Sequence, residues 1–568
     1  MRLLGWEPYK RSLKYGVTLI PNSVLLLPFA AVIVWLAYKF VEEKMSPLQK
    51  IQDDSVGVVQ ATAFRSTVWT SKMIWSVIGV LFLTWLLYKL FKDEFTSLRK
   101  IPKPSGSLPV FGHVLTFLRQ ENHAKLLQDW SEKYGPIIRY NRGFGESRVL
   151  LTDPELIKYV VVTNAKNYRR SEFVRQVLPS IGNGLFSSNG KDHAFQRKLI
   201  TPAFHFSNLV GMVEHFEDVA HNLVQLWTEQ VNSSKEGVSE ASISVDLTHL
   251  TLDIIGRCAF GYNFDTVLSG ESEVSNAFSD VILEINFSRL MRQKLIPLYK
   301  YLPLPDNVRA RKGLELTDKT VLEIIQARRK KKKEGGKVSS KPDLLDLLMD
   351  QYDEETGSSM DDELLRAQVF TFMLAGHETT SVSMMWTLYE LARHPDIAEK
   401  IREEIKLVMK DSSEMTWAKL AEMKFLGNVI KESLRLHSPA SVAIRIANKN
   451  DVIRGYEIPE GAVVALGIDA VHYSPKYWKD PHAFNPQRFD ENDENYQAHH
   501  PYAFLPFSAG PRSCIGSKFA MAEMKAVLST LLRHLTFEEI PGFTVRPVIR
   551  LTAKPDPPLR LRIRKLTS

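Results

Sequence analysis

The chain has 568 residues, 44% of them hydrophobic, enough to bury a large core in one large domain or two. Its two cysteines exclude a disulfide framework and cannot alone fill a tetrahedral zinc site, and such low cysteine usage suits a reducing compartment. The formal net charge of +8 is mild for this length; it suits an anionic membrane surface or an acidic protein partner, and neither an RNA-binding signature nor a compact basic DNA-reading helix accompanies it.

The first hundred residues differ from the rest. Tyr15 to Tyr38 is 24 residues without a formal charge, and Met73 to Tyr88 is a second charge-free stretch of 16 between Lys72 and Lys89. A membrane span needs about 20 mostly apolar residues, and flanking lysines can snorkel. The spacing predicts an anchor region over 1–100 with two transmembrane helices, about 16–38 and 73–88, the first bent at Pro21 and Pro28. Trp35, Tyr38, Trp75, Trp85 and Tyr88 stand where interfacial aromatics are useful. Lysines and arginines outside both spans favour a hairpin with both ends cytosolic. A pair of buried core helices is the other reading. Ala30–Ala37 lacks a small-residue cleavage motif, which argues against a signal peptide.

Ile101–Gly112, IPKPSGSLPVFG, reads as a stiff exit from the membrane, because proline fixes φ and blocks helix continuation. A strand at Val149–Thr152 and a helix at Pro154–Val161 come next. The loop Gly182–Gly190 leads into a short polar helix, Asp192–Leu199, carrying His193 and Arg197 and closed by Pro202. Cys258 lies in an apolar helical pattern and reads as core. Arg328–Lys333, RRKKKK, stands beside Gly335 and Gly336 and reads as a solvated, mobile loop between helices, with membrane-surface contact as the alternative.

Asp361 to His394 reads as one helix, with acids at its start and Pro395 beyond its end. At ~1.5 Å per residue it is roughly 50 Å long, enough to cross a domain. Inside it lies Ala375-Gly376-His377-Glu378-Thr379-Thr380. A mid-helix glycine costs roughly 1 kcal/mol against alanine, and a threonine hydroxyl can take a carbonyl from the ladder and bend it. This is either an ordinary kinked core helix or a functional break in a local rule. Glu432 and Arg435 share a face of the helix Asn428–His437, as i, i+3 pairs do. Arg445 falls in the strand-like VAIRIA, and Ile453–Pro459 with Ala462–Ile468 reads as a hairpin turning at Pro459–Gly461.

Phe507–Lys525 reads FSAGPRSCIGSKFAMAEMK, with Cys514 between Gly510 and Gly516, just ahead of an apolar helix-prone run. Amides at a helix N-terminus stabilise a thiolate. Glycines let the backbone approach something flat and bulky. Arg512 can meet a carboxylate bidentately, and Phe507 can offer an aromatic face. A lone cysteine in such a loop also reads as a buried structural residue. The whole pattern Phe-x-x-Gly-x-Arg-x-Cys-x-Gly, however, resembles the haem-binding loop of the cytochrome P-450 family, and the resemblance extends from Ile101 to Ser568.

The resemblance implies a mainly α-helical (α+β) fold with small β-sheets, the catalytic domain spanning 101–568 and the membrane anchor preceding it. It makes Cys514 the axial thiolate of haem iron, with Phe507, Gly510, Arg512 and Gly516 around it. Arg197, Arg445 and His193, which stands where the family has tryptophan, would reach haem propionates; the charge of His193 would depend on pH. Ala375 and Gly376 would leave room for dioxygen, Thr379 would offer it a hydrogen bond, and Glu378 would belong to the proton-delivery path. Glu432, Arg435 and Arg488 would form a structural charge network.

The same resemblance implies a microsomal haem-thiolate monooxygenase that oxidises a lipophilic substrate such as a fatty acid, sterol or xenobiotic, on the cytosolic side of the endoplasmic reticulum. No credible nucleotide-binding glycine motif is present, so electrons would come from NADPH through a separate flavoprotein reductase, docked with help from Lys518 and Lys525. Phe173–Phe186, Phe372, Met373 and Ser441–Ala443 are the expected substrate walls. A haem-thiolate isomerase or dehydratase acting on a lipid peroxide, and a non-enzymatic membrane haem protein, are the competing classes; Glu378 and Thr379 argue against both.

Overall fold

The computed structural model describes residues 92–566, with breaks at 109, 121–122, 144, 173–174, 176–180, 271, 284–288, 291, 294–295, 297, 335–342, 351, 354–357, 411, 413 and 495; before residue 92 only Thr84 and Tyr88 are described. The two expected spans, about 16–38 and 73–88, therefore lie outside the described residues but for those two. Among the described residues no helix is long and apolar enough to cross a membrane. Lys89–Ser568 forms one compact unit, and Leu98 and Ile101 are buried in its core.

That unit is mainly helical. The helices that position the site are α1 (Gly190–Ile200), α2 (Val213–Ser233), α3 (Ile243–Phe260), α4 (Pro305–Lys333), α5 (Asp362–Arg393), α6 (Lys424–Leu436) and α7 (Ser517–His534). The strands they frame are β1 (Ile137–Asn141), β2 (Ser147–Leu151), β3 (Tyr168–Arg170), β4 (Val442–Ala447), β5 (Asp451–Ile453), β6 (Tyr456–Ile458), β7 (Val463–Gly467), β8 (Arg546–Ile549) and β9 (Ala553–Asp556). The main sheet has five strands in the order β1-β2-β7-β4-β3, with β7 parallel to β2 and antiparallel to β4.

The long helix forms for the reasons its sequence gives. Asp361 caps it by accepting from the Leu364 amide at 2.7 Å, and acids fill its first turn. It is buried on nearly every side, from Leu365 to Leu391. Gly376 is a packing requirement here: a Cβ would come within 2.8 Å of Ile255 Cδ1 on α3. Thr251 of α3 reinforces the crossing by donating to the His377 carbonyl at 3.0 Å.

Two local expectations fail. The stretch 453–459 is itself part of a hairpin: β5 pairs with β6 across Arg454 and Gly455, whose φ values of 47° and 82° make the tight turn of positive-φ residues that hairpins favour. The next strand, β7, joins β4 and β2 instead. The basic run is not a loop either. Residues 328–333 are the last turns of α4, where cations suit the helix C-terminus. Acids anchor them: Arg328 meets Asp343 and Asp346, Arg329 meets Asp362, and Lys332 meets Asp350 at 2.6 Å.

Candidate active site

The polypeptide alone shapes the cysteine loop. The Cys514 amide donates to the Phe507 carbonyl at 2.9 Å, closing the loop just ahead of α7. Gly510 has φ +69°, and a Cβ there would lie 2.0 Å from the Val161 carbonyl oxygen, so the protein's own packing demands glycine. Gly516 is different: a Cβ would meet Phe204 at an ordinary 3.8 Å, so nothing among the described residues requires glycine there. Cys514 is exposed, yet the loop surrounds its sulfur closely enough that burial, outweighing the Gly516 amide and the charges of Arg197 and Arg170, pushes the thiol up. The helix N-terminus alone does not make the thiolate; a bound cation would.

Around this cysteine stands a cluster of cations. Arg197 donates to the Ser513 carbonyl at 2.7 Å and so ties α1 to the cysteine loop. Arg512 donates to the Ser188 carbonyl at 2.7 Å and to Asn189 Oδ1 at 3.0 Å, while its buried Nη1 has no hydrogen-bond partner among the described residues. Arg445 of β4 is buried and donates only to its neighbour's carbonyl, Ile444, at 3.0 Å. Arg170, which no sequence motif marked, is the direct cross-strand partner of Arg445. It lies over Phe186 at 4.1 Å, and its buried Nε is also unpartnered. Like charges opposite one another on a sheet are destabilising, so this pair breaks a local rule.

Electrostatics reports the same crowding. Burial lowers all four guanidiniums, and repulsion adds to it at two of them: Arg445 and Arg512 for Arg170, which falls to about 9, and Arg445 and Arg197 for Arg512, which falls to about 10. Burial, then Arg512, Arg197 and Arg170, brings His193 down to about 4. With the guanidiniums beside it unneutralised, His193 is therefore neutral around pH 7. No carboxylate among the described residues forms an ion pair with Arg170, Arg197, Arg445 or Arg512, which leaves their charge to a dianionic ligand. Two orphaned guanidinium nitrogens, a cation cluster and a thiol fit haem, with its two carboxylate arms and its iron.

On the long helix, Ala375, Gly376 and Thr379 are the only residues between 367 and 388 that are not buried. Thr379 donates to the Ala375 carbonyl at 2.8 Å and Thr380 to the Gly376 carbonyl at 2.6 Å, the back-bonding that bends helices. Glu378 points elsewhere. It is 1% exposed, accepts from Thr552 Oγ1 at 2.7 Å and pairs with Lys554 Nζ at 2.8 Å. Acid and alcohol thus sit on different faces of α5.

The substrate walls are also redistributed. Met373 and Ser441 are buried and Phe372 packs on Phe204, whereas Val442, Ala443 and Ile444 of β4 are half-exposed. Of the two lysines after Cys514, Lys518 is exposed, whereas Lys525 is half-buried and donates to the Leu420 carbonyl at 2.7 Å.

Glu432, Arg435 and Arg488 meet with at most 1% exposure each. Glu432 Oε2 accepts from Arg435 Nε at 2.8 Å, and Oε1 from Arg488 Nε at 3.0 Å. The spare guanidinium protons are taken by carbonyls, including His472 and Pro481 at 2.7 Å each. Removing one member of a buried pair strands the others, at a cost of about 3–5 kcal/mol. Glu432→Ala should therefore lower the denaturant midpoint by that equivalent, or yield no folded protein; unchanged unfolding would contradict a structural role for the network.

A family model described as "Cytochrome P450" matches residues 102–562. The chain is 32% identical over 503 residues to Cytochrome P450 4F5 of Rattus norvegicus, covering 83% of this chain and 92% of that protein. It is 33% identical over 482 residues to Cytochrome P450 4F11 of Homo sapiens, covering 81% and 90%. It is 33% identical over 472 residues to Cytochrome P450 4c21 of Blattella germanica, covering 80% and 91%.

Proposed function

Because this chain belongs to the cytochrome P450 family, we propose that it works at the endoplasmic-reticulum membrane, catalytic domain on the cytosolic side, and takes electrons from NADPH through a separate flavoprotein reductase. It is a haem-thiolate monooxygenase that activates dioxygen to oxidise a lipophilic substrate. The anchor lies within residues 1–100, of which the last, including Leu98, already belong to the catalytic unit, and exposed Lys518 contributes to the reductase-facing surface.

The observation that carries the assignment of residues is the unneutralised cation cluster around Cys514. Cys514 would hold the iron of a bound haem through its sulfur, Arg170, Arg197, Arg445 and Arg512 would hold its two carboxylate arms, and His193 would add a hydrogen-bond donor. Bound haem supplies the oxidising chemistry, which a thiolate ligand promotes. Phe507, Gly510 and Gly516 would shape the loop that presents Cys514. Ala375 and Gly376 would leave room for dioxygen, Thr379 would offer it a hydrogen bond, and Glu378, on the neighbouring face, would belong to the path that resupplies the proton. Val442, Ala443 and Ile444, each half-exposed on β4, would help orient an apolar substrate and exclude water.

The full chain, loaded with haem and supplied with reductase, NADPH and a panel of lipophilic compounds, should yield one oxygenated product per NADPH. Rearrangement of a lipid hydroperoxide without NADPH would identify an isomerase instead, and absence of turnover with an intact haem spectrum would identify a non-enzymatic haem protein.

A further inference from the structure

Ser438 and Asp469 line one small cavity that no motif announced. It lies where the chain passes from α6 into β4, beside Trp386 of α5 and the β8–β9 hairpin. It measures about 20 Å³, room for one particle the size of a water molecule. Asp469 is 6% exposed and Ser438 1%, yet Asp469 Oδ1 and Ser438 Oγ have no hydrogen-bond partner among the described residues. Oxygens so deeply buried are normally bonded, and a buried carboxylate without an opposite charge is costlier still.

The other polar groups of the wall are already engaged. His123 Nε2 bonds to the Phe117 carbonyl at 2.8 Å, and burial lowers the ring's affinity for a proton, so it stays neutral. His437 Nε2 meets Glu390 Oε1 at 2.7 Å, while its ring stacks on Trp386 at 4.3 Å. Trp386 Nε1 donates to the Ala553 carbonyl at 2.8 Å, and the Tyr473 hydroxyl to the Leu436 carbonyl. Arg435 of α6 is paired with Glu432. The hairpin contributes Pro547, Ile549 and Ala553, none of them charged. Among the described residues no lysine, arginine or histidine forms an ion pair with Asp469. Burial pushes its carboxyl up from 3.8 to about 7, and a hydrogen bond from Ser441 opposes that rise.

We propose that this cavity binds one bare monovalent cation no larger than a water molecule, held by Asp469 Oδ1 and Ser438 Oγ. The cation gives the buried carboxylate an opposite charge, which a water molecule in the same space does not. A proton competes for the same oxygen, so the cation takes the site as pH rises. The bound ion braces the entry into β4, the strand that carries Arg445, because the Asp469 amide also donates to the Ser441 carbonyl at 3.2 Å.

The test is thermal unfolding of the full-length holoprotein in potassium, sodium or ammonium chloride, each against choline chloride at equal ionic strength. Choline is too large for the cavity. In choline chloride the folded carboxyl keeps a proton that the unfolded one has lost, so wild type should lose stability relative to Asp469→Asn as pH rises from 3.8 to about 7. Above that range at least one small cation should raise the wild-type midpoint, and the gain should vanish toward about pH 5, where the proton holds the site. Asp469→Asn should show no gain at any pH. Ser438→Ala should weaken the apparent affinity for that cation by roughly 2–10-fold. Adding the salt to wild type at pH 7 without buffer should release up to about half a proton per molecule, because the carboxyl is then about half protonated. If Asp469→Asn folds poorly, this proton release and Ser438→Ala carry the test. Equal midpoints in all four salts, a gain that Asp469→Asn retains, or no proton release overturns the cation site and leaves the cavity to a water molecule. None of these readouts needs substrate or turnover, so they stand apart from the monooxygenase assignment.

Discussion

Cys514→His should leave a folded protein without thiolate ligation. The side chain is exposed and the loop is closed by backbone bonds, so the substitution removes no core contact. Reduced wild-type protein with carbon monoxide should show the absorption band that gives the family its name; the variant should lose that band and all NADPH-dependent product formation. The expected loss is complete, because an imidazole does not supply the electron density a thiolate does. The cation cluster is untouched, so haem should still bind, and retained haem separates loss of the ligand from loss of the site. An intact band in the variant would mean that Cys514 is not the ligand.

Thr379→Ala should lower product formation by ~10²–10⁴-fold, the range that positioned proton donors contribute. Thr379 is exposed on α5, and among the described residues its hydroxyl hydrogen-bonds only to the Ala375 carbonyl. Losing that bond removes one bend-inducing contact and no packing, so haem content and substrate affinity should barely change. Oxygen and NADPH should still be consumed, with hydrogen peroxide replacing product. A peroxide-donating oxidant should restore part of the turnover. Full coupling and unchanged yield would remove Thr379 from the mechanism, and an NADPH-independent rate that survives intact would favour isomerase chemistry.

These predictions differ from that for Glu432→Ala in what they disturb. Glu432 has no solvent to fall back on, so its loss acts on stability. Thr379 and Cys514 face outward into the site, so their loss acts on chemistry.

The motif-bearing segments were legible because their signals are local. The cysteine loop, the 375–380 break in a long helix and the Glu432–Arg435 spacing each lie within about one to three turns of chain. Acids at a helix start, a proline stop and a 3.6-residue period act over the same range, which is why α5 begins and ends within one residue of its expected bounds. Short-range chemistry also mislabels: Pro459–Gly461 is a turn, closed by the Ala462 amide on the Pro459 carbonyl, but the hairpin is made at the positive-φ pair Arg454–Gly455.

By itself, then, the sequence determined the family resemblance, the helical architecture, the thiol and the acid–alcohol motif. Tertiary structure alone decided which charges meet. Arg170 and Arg445 face each other only because β3 pairs with β4. Thr552 reaches Glu378 from 174 residues away, and Lys525, whose charge suits a docking surface, donates to the Leu420 carbonyl. A charge is worth little on a solvated surface and much in a buried cluster. Burial is set by long-range packing, which no stretch of contiguous residues encodes.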